Sequence, residues 1–173
     1  LNRTTRHLAE LRANFPQVPV FGVNADQAQV GRIQGRQVAQ LLPNGGDVVY
    51  MQGPRKTSST VDRLAGAREV LDSSKVTLIL LRGDWSIDGG LKAMDRWLRD
   101  QAERPLGSVV VAAQNDSMAE GARQAIEALA AETGREDIAR IPVTGCDGLP
   151  DFGARLVDEG RLAGTVVIPS VSG

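Results

Sequence analysis

Ser108-Val109-Val110-Val111-Ala112-Ala113, followed at once by Gln114-Asn115-Asp116-Ser117-Met118-Ala119, decides how this chain is read. The first half is a short, continuous run of small and β-branched residues. It lacks the every-second-residue alternation of a half-exposed strand, and such a run is expected of a strand buried on both faces of a parallel sheet. The second half turns polar and leads into an alanine-rich segment, from about Ser117 to Glu132, with Glu and Arg on its outer side. Strand, polar exit and helix follow one another without a linker.

The same unit recurs in both directions. Val18–Asn24, Asp47–Gln52, Val76–Leu81, Ile141–Gly145 and Gly164–Ile168 are further strand candidates. Between them lie helical segments at about Gln27–Leu42, Ser59–Leu71, Ile87–Arg99 and Pro150–Glu159. Asp26 is placed to cap the first of these, and Pro43 stops it. In the third, Ile87, Leu91, Met94 and Leu98 fall on one apolar stripe facing a sheet. Asn44-Gly45-Gly46 and Pro105-Leu106-Gly107 supply turn chemistry into strands. Leu1–Gln17 carries the least readable pattern. The alternation predicts an α/β fold: a doubly wound, mainly parallel sheet of about six strands, with right-handed crossovers and helices on both faces.

Composition narrows the function. A chain of 173 residues fits one domain with a real core. Hydrophobic residues make up 42% and charged residues 24%, an ordinary globular mix. The formal net charge is -1. Without a basic patch or a charge run there is no electrostatic case for nucleic acid or a membrane surface as partner. No apolar stretch is long enough to span a bilayer. Cys146 is the one cysteine and His7 the one histidine, so neither an internal disulfide nor a His/Cys zinc cluster is available. A first residue of Leu1 instead of Met, with no signal peptide, is expected of a processed or cut piece.

In doubly wound sheets ligands bind beyond the carboxyl ends of the strands, where loops open and helix N-termini point inward. Those ends carry Gly53-Pro54-Arg55-Lys56-Thr57-Ser58, Arg82-Gly83-Asp84-Trp85, Gln114-Asn115-Asp116 and Cys146-Asp147-Gly148. Four polar exits together argue for one shared cleft. Each has a bland counterpart: Asp116 and Asp147 as helix caps or turn residues, Asn115 as a turn residue, Arg63 as a solvated helix arginine. Trp97 reads as core. A phosphate loop is excluded, because G-x-x-x-x-G-K-[ST] ending on Lys56-Thr57 needs glycine where Tyr50 and Arg55 stand. No nucleophile–base pair, metal cluster or cofactor motif is marked by spacing, so no catalytic residue, metal or cofactor is assigned.

Several segments resemble one family: Asn24-Ala25-Asp26…Gly31…Gly35; Gln52-Gly53 with Thr57-Ser58…Arg63…Gly66; Gln114-Asn115-Asp116-Ser117-Met118-Ala119; Asp147-Gly148…Pro150; and Gly160-Arg161-Leu162-Ala163…Thr165. In this order they are similar to ribose-type periplasmic binding proteins, the substrate-binding components of sugar ABC transporters. The effector domains of LacI-type repressors share that fold. The resemblance implies one lobe of a type I periplasmic-binding fold, with residues 18–173 as the ligand-binding lobe and 1–17 as a residual segment after a missing first lobe. It implies that Arg63 bonds sugar hydroxyls, Trp85 packs on the ring, Asn115 supplies an amide and Asp147 a carboxylate. Arg3 would be the arginine beside the hinge. Implied partners are a monosaccharide or polyol, the missing lobe and a membrane permease, at a periplasmic or lipid-anchored location. Ile168 stands where ribose-type proteins place a glutamine contact, Asn2 replaces the usual aspartate and Trp85 also differs, so ribose itself is not the expected ligand. The alternatives are a LacI-type effector domain and, more remotely, a small α/β enzyme using Gly53–Ser58 on a phosphorylated substrate.

Overall fold

A computed structural model describes residues 26–101 and 103–168. In chain order the elements are α1 (Gln27–Leu41), β1 (Gly46–Gln52), α2 (Ser58–Leu71), β2 (Val76–Arg82), α3 (Ile87–Asp100), β3 (Val109–Ala113), α4 (Asp116–Thr133), α5 (Glu136–Ala139) and β4 (Val143–Asp147). A π-helical turn, Pro150–Ala154, then leads into α6 (Arg155–Asp158) and β5 (Gly164–Val167). The five strands form one parallel sheet in the order β2-β1-β3-β4-β5. The doubly wound α/β expectation is met. The sixth candidate strand, Val18–Asn24, lies outside the described residues, as does Leu1–Gln17.

Alternate residues of each strand serve opposite layers. Val49, Met51, Val111 and Val143 pack with Met94, Trp97, Leu98, Met118 and Ile126 beneath α3 and α4. Val48, Tyr50, Val110 and Ala112 pack with Val38, Leu42, Ala67 and Leu71 beneath α1 and α2. Central β3 is buried along its whole length, as its unbroken apolar sequence requires. β2, on the sheet edge, exposes Thr77, Leu80 and Arg82. The third-helix stripe holds at Met94 and Leu98, but Ile87 at its start is partly exposed.

Helix starts follow local chemistry. Asp26 caps α1 through Gln29 N–H at 2.9 Å, and Ser86 caps α3 through Gly89 N–H at 2.9 Å. Asn115, not Asp116, caps α4, its Oδ1 accepting from Met118 N–H at 2.9 Å. Asp116 is thereby the first helical residue, and its carboxylate is released for long-range bonds. The short α5 was not expected from the sequence. The Pro150 helix begins as a π-helical turn, and β4 runs two residues further than its apolar pattern indicated, so Asp147 ends the strand instead of following it.

The helices on each face approach unusually closely through reciprocal glycines. A Cβ on Gly31 would stand 2.0 Å from the Arg63 carbonyl oxygen, and one on Gly66 1.9 Å from that of Ala28. On the other face Gly90 meets the Met118 carbonyl and Gly121 the Ile87 carbonyl in the same manner. These contacts fix α1 against α2 and α3 against α4.

Candidate ligand-binding site

At the carboxyl end of the sheet, Ser59, Arg63, Trp85, Asn115 and Asp147 line a concavity of about 270 Å³. Arg63 projects from α2 and is 6% exposed, far from the solvated arginine that a mid-helix position predicts by default. Its Nε donates to Gln27 Oε1 at 2.7 Å, and Nη1 donates to the Gln114 carbonyl. Its Nη2 lies 3.5 Å from Asp147 Oδ1, and its Cζ stands 5.9 Å from the centroid of the Trp85 ring. One edge of the guanidinium is therefore tethered to protein. The remaining N–H groups border the concavity beside a carboxylate and an aromatic ring.

Trp85 reaches this position through a left-handed backbone, φ 72°, which a bulky residue adopts only when its surroundings enforce it. Two contacts do so. Asn115 Nδ2 donates to the Trp85 carbonyl at 3.0 Å, and the indole lies against Gly53, where a Cβ would come within 2.1 Å of Trp85 Cζ2. Asp147 is likewise strained, with φ 104°. Its backbone is held by Ile168 N–H donating to its carbonyl at 3.0 Å. The adjacent Gly148 N–H donates to Asp116 Oδ2 at 2.7 Å, while Thr165 Oγ1 donates to Asp116 Oδ1 at 2.6 Å. Asp116 thus braces the loop that presents Asp147.

The electrostatics follow from this crowding. Burial pushes the Asp147 carboxyl above the usual carboxylate range; Arg63 pulls it back, and the neighbouring charge of Asp116 adds to the rise. Burial also raises Asp116, against the bonds from Thr165 and Gly148 and the field of Arg63. The Cys146 thiol is buried and pushed well up, which removes it as a nucleophile. Among the described residues no group of His, Cys, Asp and Glu is arranged to hold a metal ion, and no helix is long and apolar enough to cross a membrane.

Four of the five residues singled out from sequence, Arg63, Trp85, Asn115 and Asp147, meet at one rim; the fifth, Arg3, lies outside the described residues. Sequence reasoning missed Ser59, although it sits one helical turn before Arg63 on the same face of α2. It also missed Gln27, which nothing in the local pattern marks, and placed Gly53 and Gln114 at strand exits without assigning either a contact of its own. A larger depression, about 510 Å³, lies at the opposite end of the sheet among Arg123, Glu127, Arg140 and Arg161. Size does not outweigh chemistry here: Arg161 is already bonded to Glu127 and Glu120, and Arg140 to Glu136.

Several known proteins have chains similar to this one. The xylitol-binding protein of Mycolicibacterium smegmatis is 30% identical over 145 residues, covering 83% of this chain and 38% of the relative. The ribose import binding protein of Haemophilus influenzae is 26% identical over 148 residues, 85% of this chain and 46% of the relative. The match thus covers less than half the length of either relative. Among solved structures, the fructose-binding periplasmic domain of a hybrid two-component system superposes with a TM-score of 0.74 at 26% identity, covering 96% of this chain and 57% of that one. Residues 17–172 match the family described as periplasmic binding protein domain, and the chain belongs to that family.

Proposed function

We propose that this chain is one lobe of a two-lobed solute-binding protein. It holds a monosaccharide or polyol between its lobes, outside the bacterial inner membrane, and hands it to an ABC-transporter permease without catalysing a reaction. The observation that carries this reading is the convergence of Arg63, Trp85, Asn115 and Asp147 on one concavity. Hydroxyls both donate and accept, so a forked cation, an acceptor-only carboxylate and a two-way amide are complementary partners for a polyol. The Trp85 face suits the C–H side of a sugar ring. Residues 18–173 form the lobe, with Arg3 contributing from the hinge side and Ser59 adding a hydroxyl beside Arg63. The named relatives, which bind xylitol, ribose and fructose, support the ligand class.

The test uses the full-length protein and calorimetric titration with xylitol, D-ribose, D-fructose and myo-inositol. Hydrogen bonds to charged groups contribute about 1.5–3 kcal/mol each. Asp147→Ala or Arg63→Ala is therefore expected to weaken binding at least about tenfold per lost bond. Wild-type affinity in both variants, with the fold intact by circular dichroism, would discard the site.

A further inference from the structure

Gln114 belongs to the polar exit of β3, yet its side chain is fully buried. Its Oε1 accepts from the Gly53 N–H at 3.0 Å. Its Nε2 donates to the Thr60 carbonyl at 2.9 Å and lies 3.4 Å from the Tyr50 hydroxyl. Its own carbonyl accepts from Arg63 Nη1, and its N–H donates to the Met51 carbonyl at 2.9 Å. Each of these partners matters to the cleft. Gly53 is the surface on which the Trp85 indole lies. Thr60 sits in the helical turn just before Arg63. One residue therefore sets the seat of the aromatic wall, the height of the α2 turn and the anchor of the guanidinium, while exposing no surface to a ligand.

We propose that Gln114 is a positioning residue, locking Arg63 and Trp85 into a single relative placement before a ligand arrives. This rests on the binding role given above to those two residues. Preorganisation of this kind raises affinity by removing the ordering that binding would otherwise impose. A glutamine that merely satisfies the core would affect stability and leave the placement of Arg63 and Trp85 unchanged.

The experiment compares the Trp85 indole N–H and Arg63 Nε–H signals in nitrogen-15 spectra of the ligand-free, full-length protein, assigned with Trp85→Phe and Arg63→Lys. Gln114→Met keeps length and removes both polar atoms; it is expected to shift both signals and to weaken xylitol or D-ribose binding at least about tenfold. Gln114→Glu, with its carboxylate ionised, keeps the acceptor for Gly53 and loses the donor to Thr60, so the Arg63 signal moves while that of Trp85 stays. Val48→Ala, a cavity in the same layer toward the far end of β1, lowers the melting temperature and moves neither signal. The proposal is overturned if Gln114→Met leaves both signals in place, or if Val48→Ala shifts them equally. Should Gln114→Met fail to fold, unmoved signals in Gln114→Glu overturn it. The spectra need no sugar, so they decide the role of Gln114 even where Asp147→Ala has left sugar binding intact and the cleft reading has failed.

Discussion

Asp147 stands where burial and charge act in opposite directions. Burial prevails, and its carboxyl titrates above the ordinary aspartate range. A sugar hydroxyl donating to Asp147 favours the ionised form, so affinity is full above the raised pKa and is lost as pH falls through it. The midpoint of the loss is expected to lie above that of an unperturbed aspartate. Calorimetry from neutral to acid pH checks this, with Asp147→Asn expected to flatten the profile; a wild-type profile flat down to pH about 4 would contradict it. Stability follows the same linkage with its own sign. The native state holds these protons more tightly than the unfolded chain, so the contribution of Asp116 and Asp147 is greatest in acid and falls as pH rises through the window. Gly53→Ala tests the aromatic wall. Its methyl would stand 2.1 Å from Trp85 Cζ2, so the indole must move, and the fluorescence response of Trp85 to a bound sugar is expected to differ from that of the wild type. An unchanged fluorescence titration would show that the ring does not rest there.

Helix pairing decides whether those side chains meet. Alanine in place of a mid-helix glycine ordinarily stabilises by about 0.8–1.0 kcal/mol. At Gly66 the added methyl would lie 1.9 Å from the Ala28 carbonyl oxygen, forcing α1 and α2 apart. Overpacking costs about 1–3 kcal/mol, occasionally more. We therefore expect Gly66→Ala to be net destabilising, by up to about 2 kcal/mol, in denaturant unfolding. Gly107→Ala, with nothing within 4 Å of the new methyl, should be near neutral. Equal stabilities for the two would show that the close approach carries no energetic weight. At this scale the sequence was most legible. Unbroken apolar runs marked β1 and β3, and capping chemistry marked the start of α1. Four-residue α5 is too short for a periodic signal, and Cys146 and Asp147 extend β4 because Val166 and Val167 pair with them, a partner that a local pattern does not reveal. Arg63 was marked as a candidate for the site only through the resemblance. What buries it is Gln27, 36 positions away, and the Gln114 carbonyl, 51 positions away. The resemblance implies an amide for the ligand at Asn115, and its bonds to Met118 and Trp85 show a structural clamp.

At the scale of the molecule, the sheet delivers four chemically matched groups to one end, and the second lobe of the proposed protein would cover them. Closure of two lobes about a hinge is the motion such a cleft uses. It would exclude water from the Arg63–Asp147 pair and strengthen each bond made to a hydroxyl. The most direct measurement is a crystal structure of the full-length protein with the sugar or polyol that binds it most tightly. Arg63 and Asp147 are expected within hydrogen-bond distance of ligand hydroxyls, with the Trp85 ring against the carbon face. A ligand seated instead in the depression between Arg123 and Arg161, or one that leaves Arg63 and Asp147 untouched, would contradict the account.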